Sequence, residues 1–186
     1  MRSALPHPLR APLFGLLGRM YPKADWAPQM FRAKTTFEGL SRSSVGAYAH
    51  SMSIFRSPMR AQLFSTRFRN EAAGYDAAEV FARHAARAGT DDPLALIQYL
   101  DTKTYLVGDI NTKVDRASMA HSLETREPLM DHELVEWLAT LPSSLKVRGQ
   151  EGKFLLKKAM EPHLPHDILY RPKKGFAVPL ARWFRG

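Results

Sequence analysis

"DINTKVDRASMAHSLETREPLMD", residues 109–131, sets eight charged side chains among small and apolar ones. Read as a helix over 109–122, it places Ile110, Val114, Ala117 and His121 at i, i+4, i+7 and i+11, one stripe for the core. Asp109, Lys113 and Arg116 recur on a face one residue further round, so these charges border the core. Two readings stay open. An acid four residues before a base is the favourable order for a surface ion pair. The same carboxylate and cations could instead line one side of a cleft. Beyond them, Pro128 pushes Glu127 toward extended backbone, so "LETREP" reads as a non-helical link. In an extended link Glu124 and Arg126 point to the same side. There they could clamp neighbouring helices by charge-assisted hydrogen bonds.

The flanks of this stretch are helical in pattern. Asp92 precedes Pro93 as an N-cap precedes a first-turn proline, and Leu94, Ile97, Leu100 and Leu106 continue an apolar stripe that Gly108 interrupts. Asp131 caps "HELVEWLATLP". Further upstream, "SSVGAYAHSMSIF" (43–55) reads as one helix, Ser57 as the N-cap of the next, and Asp76 with Glu79 as a capping-box-like start. Five prolines break residues 1–42, which read as an irregular arm with short helices. Residues 43–186 read as one helical domain. No alternating β-branched run is long enough to make a strand, so the expected class is mainly α.

Composition narrows the chemistry. The chain has 186 residues, a formal charge of +9 and no cysteine. Disulfides, thiol nucleophiles and cysteine-bound metals are therefore excluded. No apolar run approaches the roughly 20 residues of a membrane span, and no signal peptide is legible, so a cytoplasmic protein with no membrane partner is expected. From Lys146 onward ten basic residues face three acidic ones. A cationic end of this kind suits a polyanion, and also an ordinary solvated face. Within it, Arg171, Lys173 and Lys174 crowd a short link between Pro172 and Gly175. A lysine on a glycine-hinged loop can close over phosphates as negative charge builds there. The histidines show no metal-ligand spacing, and no bound metal is expected. No glycine-rich phosphate loop is present.

Taken together, "YLVGDINTKVDRASMAHSLETREPLMDHELVEWLATLP", "KFLLKKAM" and "RPKKGFAVPLARWF" resemble the C-terminal part of the glutamine-hydrolysing asparagine synthetase family, over residues 90–186. Residues 1–90, through "APLFGLLGRMYPKADWAPQMFRAKTTF", look like one branch, the amidotransferases associated with exosortase A systems. The resemblance implies the helical C-terminal portion of an α/β ATP-pyrophosphatase (adenine nucleotide α hydrolase-like) synthetase domain. It implies ATP with Mg2+, bound mainly by an upstream half, together with aspartate or another carboxylate and ammonia from a glutaminase domain. The chain carries no Ser-Gly-Gly-x-Asp-Ser loop, so a truncated piece, inactive alone, is expected. A homodimer is left open.

Residue by residue, Lys173 matches the lysine of the family's late "R-x-K-x-x-F" segment, which stabilises developing phosphate charge. Lys174 is its neighbour and a second candidate. Asp109 and Lys113 match the acid and base of a run that faces the synthetase cleft. Asp115, Arg116, Glu124 and Arg126 match positions that read as scaffold. Asn111 and Glu127 stand where family members usually carry apolar residues, and Met130 where they carry leucine. The family's acceptor is aspartate; the resemblance to the exosortase-associated branch offers as an alternative the same chemistry on a sugar-acid or another carboxylate. A basic helical nucleic-acid-binding module is the competing class. It lacks the interleaved aromatic platform that single strands require.

Overall fold

The computed structural model describes residues 5–21, 33–172 and 183–185. By internal packing the chain divides into two compact units, Met1–Leu129 and Met130–Gly186. Helices dominate both, as the periodicity requires.

In the first unit, α1 (His7–Met20) packs on α2 (Lys34–Leu40). Phe14 stacks on Phe37 at 6.0 Å, and Tyr21 meets the same ring edge-on. Gly18 permits the approach, since a β-carbon there would lie 3.2 Å from Glu38 Cγ. The prolines of residues 1–42 suggest an irregular arm with short helices, whereas α1 runs for 14 residues. Pro8 sits in the first turn, where its missing N–H costs nothing. Pro12 removes one internal donor, and packing on α2 offsets that loss.

Next come α3 (Ser44–Met52), α4 (Ser57–Leu63), α5 (Thr66–Glu71), α6 (Ala78–Ala85) and α7 (Pro93–Asp101). Ser43 caps α3 by accepting from the Gly46 amide, and Asp92 caps α7 by accepting from Ala95. Asp76 accepts from Ala78 and also from Arg60 Nη2, tying α4 to the start of α6. The α3 helix stops at Met52, three residues before the expected end. Arg56, and not Ser57, occupies the N-cap position of α4.

The centre of this unit lies where α3, α6 and α7 meet. Leu100 is fully buried, and Tyr48 and Ala49 are nearly so. Tyr48 packs edge-on against Phe81 at 5.6 Å and donates its hydroxyl to Asp101 Oδ1 at 2.6 Å. Burial, reinforced by that carboxylate, pushes the phenol from 10.0 up to about 12. Outside this centre, Leu9, Met20, Ile54 and Phe55 each expose more than half their surface.

After α7 the chain does not break at Gly108. It continues as a π-helical segment, Thr102–Asn111, and then as α8 (Thr112–Met119). Threonine hydroxyls bond preceding carbonyls along it: Thr102 to Gln98, Thr104 to Leu100 and Thr112 to Val107. Such back-bonds compete with the regular ladder. Residues 123–127 form the expected non-helical link, and Pro128–Met130 make one 3-10 turn.

The second unit holds α9 (His132–Thr140), capped by Asp131 through the Leu134 amide, and α10 (Ser143–Lys146). A small antiparallel hairpin follows, β1 (Val147–Arg148) with β2 (Glu151–Gly152), turning at Gly149 with φ +62°. Then come α11 (Phe154–Met160) and α12 (His166–Leu169). No described helix is long and apolar enough to cross a membrane.

Removing the phenol tests the centre. Tyr48→Phe is expected to lower unfolding free energy by roughly 1–2 kcal/mol, because Asp101 loses a partner. The phenol's proton affinity is higher folded than unfolded, so its contribution is full below pH 10.0 and lost as pH rises through about 12. Urea unfolding across that range should show the alkaline loss in the native chain and not in the variant.

Candidate functional site

The cleft-wall candidates sit where the π segment becomes α8. Lys113 Nζ donates to Asp109 Oδ2 at 2.9 Å, and both side chains are open to solvent. The hydrogen bond to Asp109 holds the Lys113 ammonium above its ordinary range, with Tyr105 adding a smaller push in the same direction. A solvent-open pair of this kind adds little stability. It does keep a carboxylate and a cation together on one accessible face.

The stripe drawn beneath them is not buried. Ile110 is half-buried, while Val114, Ala117 and His121 are exposed. The wider turn of the π segment accounts for part of this. With i→i+5 bonding through Asn111, residues spaced by 3.6 no longer share one face. Asn111 Oδ1 is buried there without a hydrogen-bond partner among the described residues. That is the position where the resemblance calls for an apolar residue.

Asp115 and Arg116 lie on the exposed surface of α8, with no ion pair among the described residues. Glu124 and Arg126 do meet, at 2.7 Å, but each is largely exposed. They pair with one another across the link and clamp no described helix. Lys173 and Lys174 lie outside the described residues.

The structure does describe what precedes those lysines. Glu161 Oε1 accepts from Lys158 Nζ at 2.7 Å and from the Tyr170 hydroxyl at 2.6 Å. His166 stacks on the Tyr170 ring at 4.4 Å, and Lys157 Nζ lies 4.9 Å from its centroid. Lys157 in turn binds Glu151 on β2 at 2.9 Å. The Lys158 and Tyr170 bonds hold the Glu161 carboxyl below its usual range, and the bond to Glu161 raises Tyr170. Tyr170 is thus fastened on three sides, three residues before Lys173. Sequence reasoning missed this fastening; Lys158 and Glu161, three residues apart, were the local signal, while Pro162 and Pro165 separate them from His166 and Tyr170.

A sequence model of the asparagine synthase family matches residues 13–186. The chain belongs to the asparagine synthase family. Among its relatives is a protein of Mycobacterium tuberculosis named putative asparagine synthetase [glutamine-hydrolyzing]. It is 42% identical over 102 residues, covering 55% of this chain and 16% of the relative. Asparagine synthetase [glutamine-hydrolyzing] 1 of Bacillus subtilis is 30% identical over 171 residues, covering 92% of this chain and 26% of the relative. The asparagine synthetase of Gallus gallus is 38% identical over 79 residues, 39% of this chain and 14% of the relative. The chain therefore spans about a quarter or less of the length of these relatives. No solved structure matches it.

Membership in the family sets the Asp109–Lys113 pair in context without changing its geometry. Asp109→Asn should return the Lys113 ammonium toward its ordinary pKa, read by NMR titration of the 13C-labelled lysine ε-carbon. An unchanged titration would mean that the pair is not formed in solution.

Proposed function

We propose that this chain is the helical portion of an ATP-dependent, glutamine-hydrolysing amidotransferase. That enzyme adenylates the side-chain carboxylate of aspartate and amidates it with ammonia, releasing asparagine, AMP and pyrophosphate. The observation that carries this reading is the family match over residues 13–186, which includes both the Asp109–Lys113 face and the lysine segment. The large exposed apolar side chains agree with it, since apolar surface on this scale is ordinarily covered by further protein. Ile54 at 85% exposure and Met20 at 74% are the clearest cases in the first unit.

In this reading the chain's own residues do three things. Lys173 moves positive charge onto the phosphoryl group as the carboxylate attacks and pyrophosphate departs, and Lys174 adds charge beside it. Lys113, positioned by its bond to Asp109, presents an ammonium on one side of the cleft, where an anionic substrate can exchange with that carboxylate and be oriented. Glu124 and Arg126 brace the link after α8 by pairing with one another, while Asp115 and Arg116, exposed on α8, add to its charged face. ATP with Mg2+ supplies the anhydride that is cleaved. In this reading Lys173 and Lys174 supply cations for its phosphates, while its metal-binding groups belong to an upstream half. The cytoplasm is the compartment that fits the cysteine-free composition, and small molecules are the partners.

The test uses the longer protein of which this chain is read as a part. Aspartate-dependent ATP–pyrophosphate exchange should appear, and Lys173→Ala should reduce it by roughly 100-fold or more, the usual cost of removing one transition-state donor. Exchange that survives the substitution would remove Lys173 from this role. Replacing aspartate with a panel of sugar-acids and other carboxylates tests the alternative acceptor of the exosortase-associated branch.

A further inference from the structure

One hollow of the first unit gathers cations that the proposed chemistry does not use. It has a volume of about 500 Å³ and lies among the α2–α3 turn, α3, the α3–α4 link, α4 and the start of α6. That volume is in the range that holds small ligands. Arg42, His50, Arg56 and Arg60 line it, with the hydroxyls of Ser43 and Ser53.

The cations differ in how far they are already engaged. Arg60 is fixed by Asp76 at 2.8 Å, by Ser57 Oγ and by the Phe55 carbonyl, so it is bracing. Arg42 donates Nη1 to the Glu38 carbonyl and has no carboxylate partner among the described residues. Arg56 shares the Glu38 carboxylate with His50, at 3.6 Å against 3.0 Å for the imidazole. Behind this wall Arg10 is buried. Its Nη2 reaches the Arg42 carbonyl at 3.3 Å, while Nε and Nη1 have no partner among the described residues.

Among the described residues, four guanidiniums thus stand in and behind the wall, against the carboxylates of Glu38 and Asp76. Partly buried positive charge left without counter-charge is costly. His50 reports the same excess, since burial and the charges of Arg42 and Arg56 lower its affinity for a proton. A species that supplies two negative charges and several acceptor oxygens in three dimensions complements this wall. Guanidiniums bind such groups by paired, charge-assisted hydrogen bonds. A carboxylate carries one charge in one plane and leaves half of the excess standing.

We propose that this cleft binds a phosphoryl dianion, as inorganic phosphate, as pyrophosphate or on a phosphate ester, through Arg42 and Arg56. Arg60 and Asp76 border it, and Ser43, whose hydroxyl accepts from the Gly46 amide and keeps its own proton, is a neutral donor in its lining. This goes beyond the amide-forming reading and stands or falls separately from it.

The experiment is titration calorimetry on the 186-residue chain with sodium phosphate, pyrophosphate, AMP and aspartate at matched ionic strength. At least one phosphoryl ligand should bind one-to-one, more tightly than aspartate. Arg56→Gln and Arg42→Gln should each weaken it about tenfold or more, the loss of one charge-assisted pair. Arg67→Gln, which removes an exposed cation paired with Glu71, should leave it unchanged. A second measurement avoids variants altogether. The bound ligand should protect Arg42 and Arg56 of the native chain from phenylglyoxal, mapped by mass spectrometry, while Arg67 reacts as before. The proposal is overturned if no phosphoryl ligand binds, if aspartate binds equally well, or if protection falls elsewhere. Which phosphoryl ligand binds tightest identifies its source.

Discussion

The first unit depends on one short hydrogen bond at the meeting of three helices. Tyr48 on α3 reaches Asp101 at the end of α7 at 2.6 Å, beside the fully buried Leu100. The phenol must stay protonated to donate, and its surroundings enforce that. Asp101 is the last residue of α7, so the bond lies where the π segment begins. That segment carries the chain to Asp109 and Lys113. Continuous helix thus runs from this buried centre to the accessible charge pair.

Much of this was legible locally. Asp92, Ser43 and Asp131 begin helices because a side-chain oxygen finds an orphan amide two or three residues on, and such signals need no tertiary context. The α1 helix was not legible, because Pro8 and Pro12 argue against it and only packing on α2 decides in its favour. Nor was the π segment, since Gly108 read as an interruption and threonine back-bonding is weak as a pattern. Of the candidate site, the Asp109–Lys113 pairing followed from i,i+4 spacing alone. The exposure of Val114 and Ala117 did not follow, because the apolar stripe of a helix does not say whether its partner lies within the same stretch of chain.

Charge is handled differently in the three places where it collects. Where the π segment meets α8 it is solvent-open, paired at Asp109 and Lys113, and ties no other element. In the second unit, Glu161 gathers Lys158 and Tyr170, and the same tyrosine lies against His166 and Lys157, so the approach to the lysine segment is held by several bonds at once. In the cleft of the first unit the cations exceed the carboxylates among the described residues. Arg10, separated by 32 residues from Arg42, joins that group only through the α1–α2 packing that the prolines conceal. No inspection of spacing brings these arginines together.

On the proposed function, this helical chain serves adenylation and amide formation. The most direct measurement follows the label from amide-15N-glutamine, with aspartate and ATP, in the longer protein containing this chain. The account predicts 15N in the side-chain amide of asparagine, with AMP and pyrophosphate formed in step with it. Formation of ADP and phosphate instead, or ATP cleavage with no labelled amide on any carboxylate offered, would contradict it.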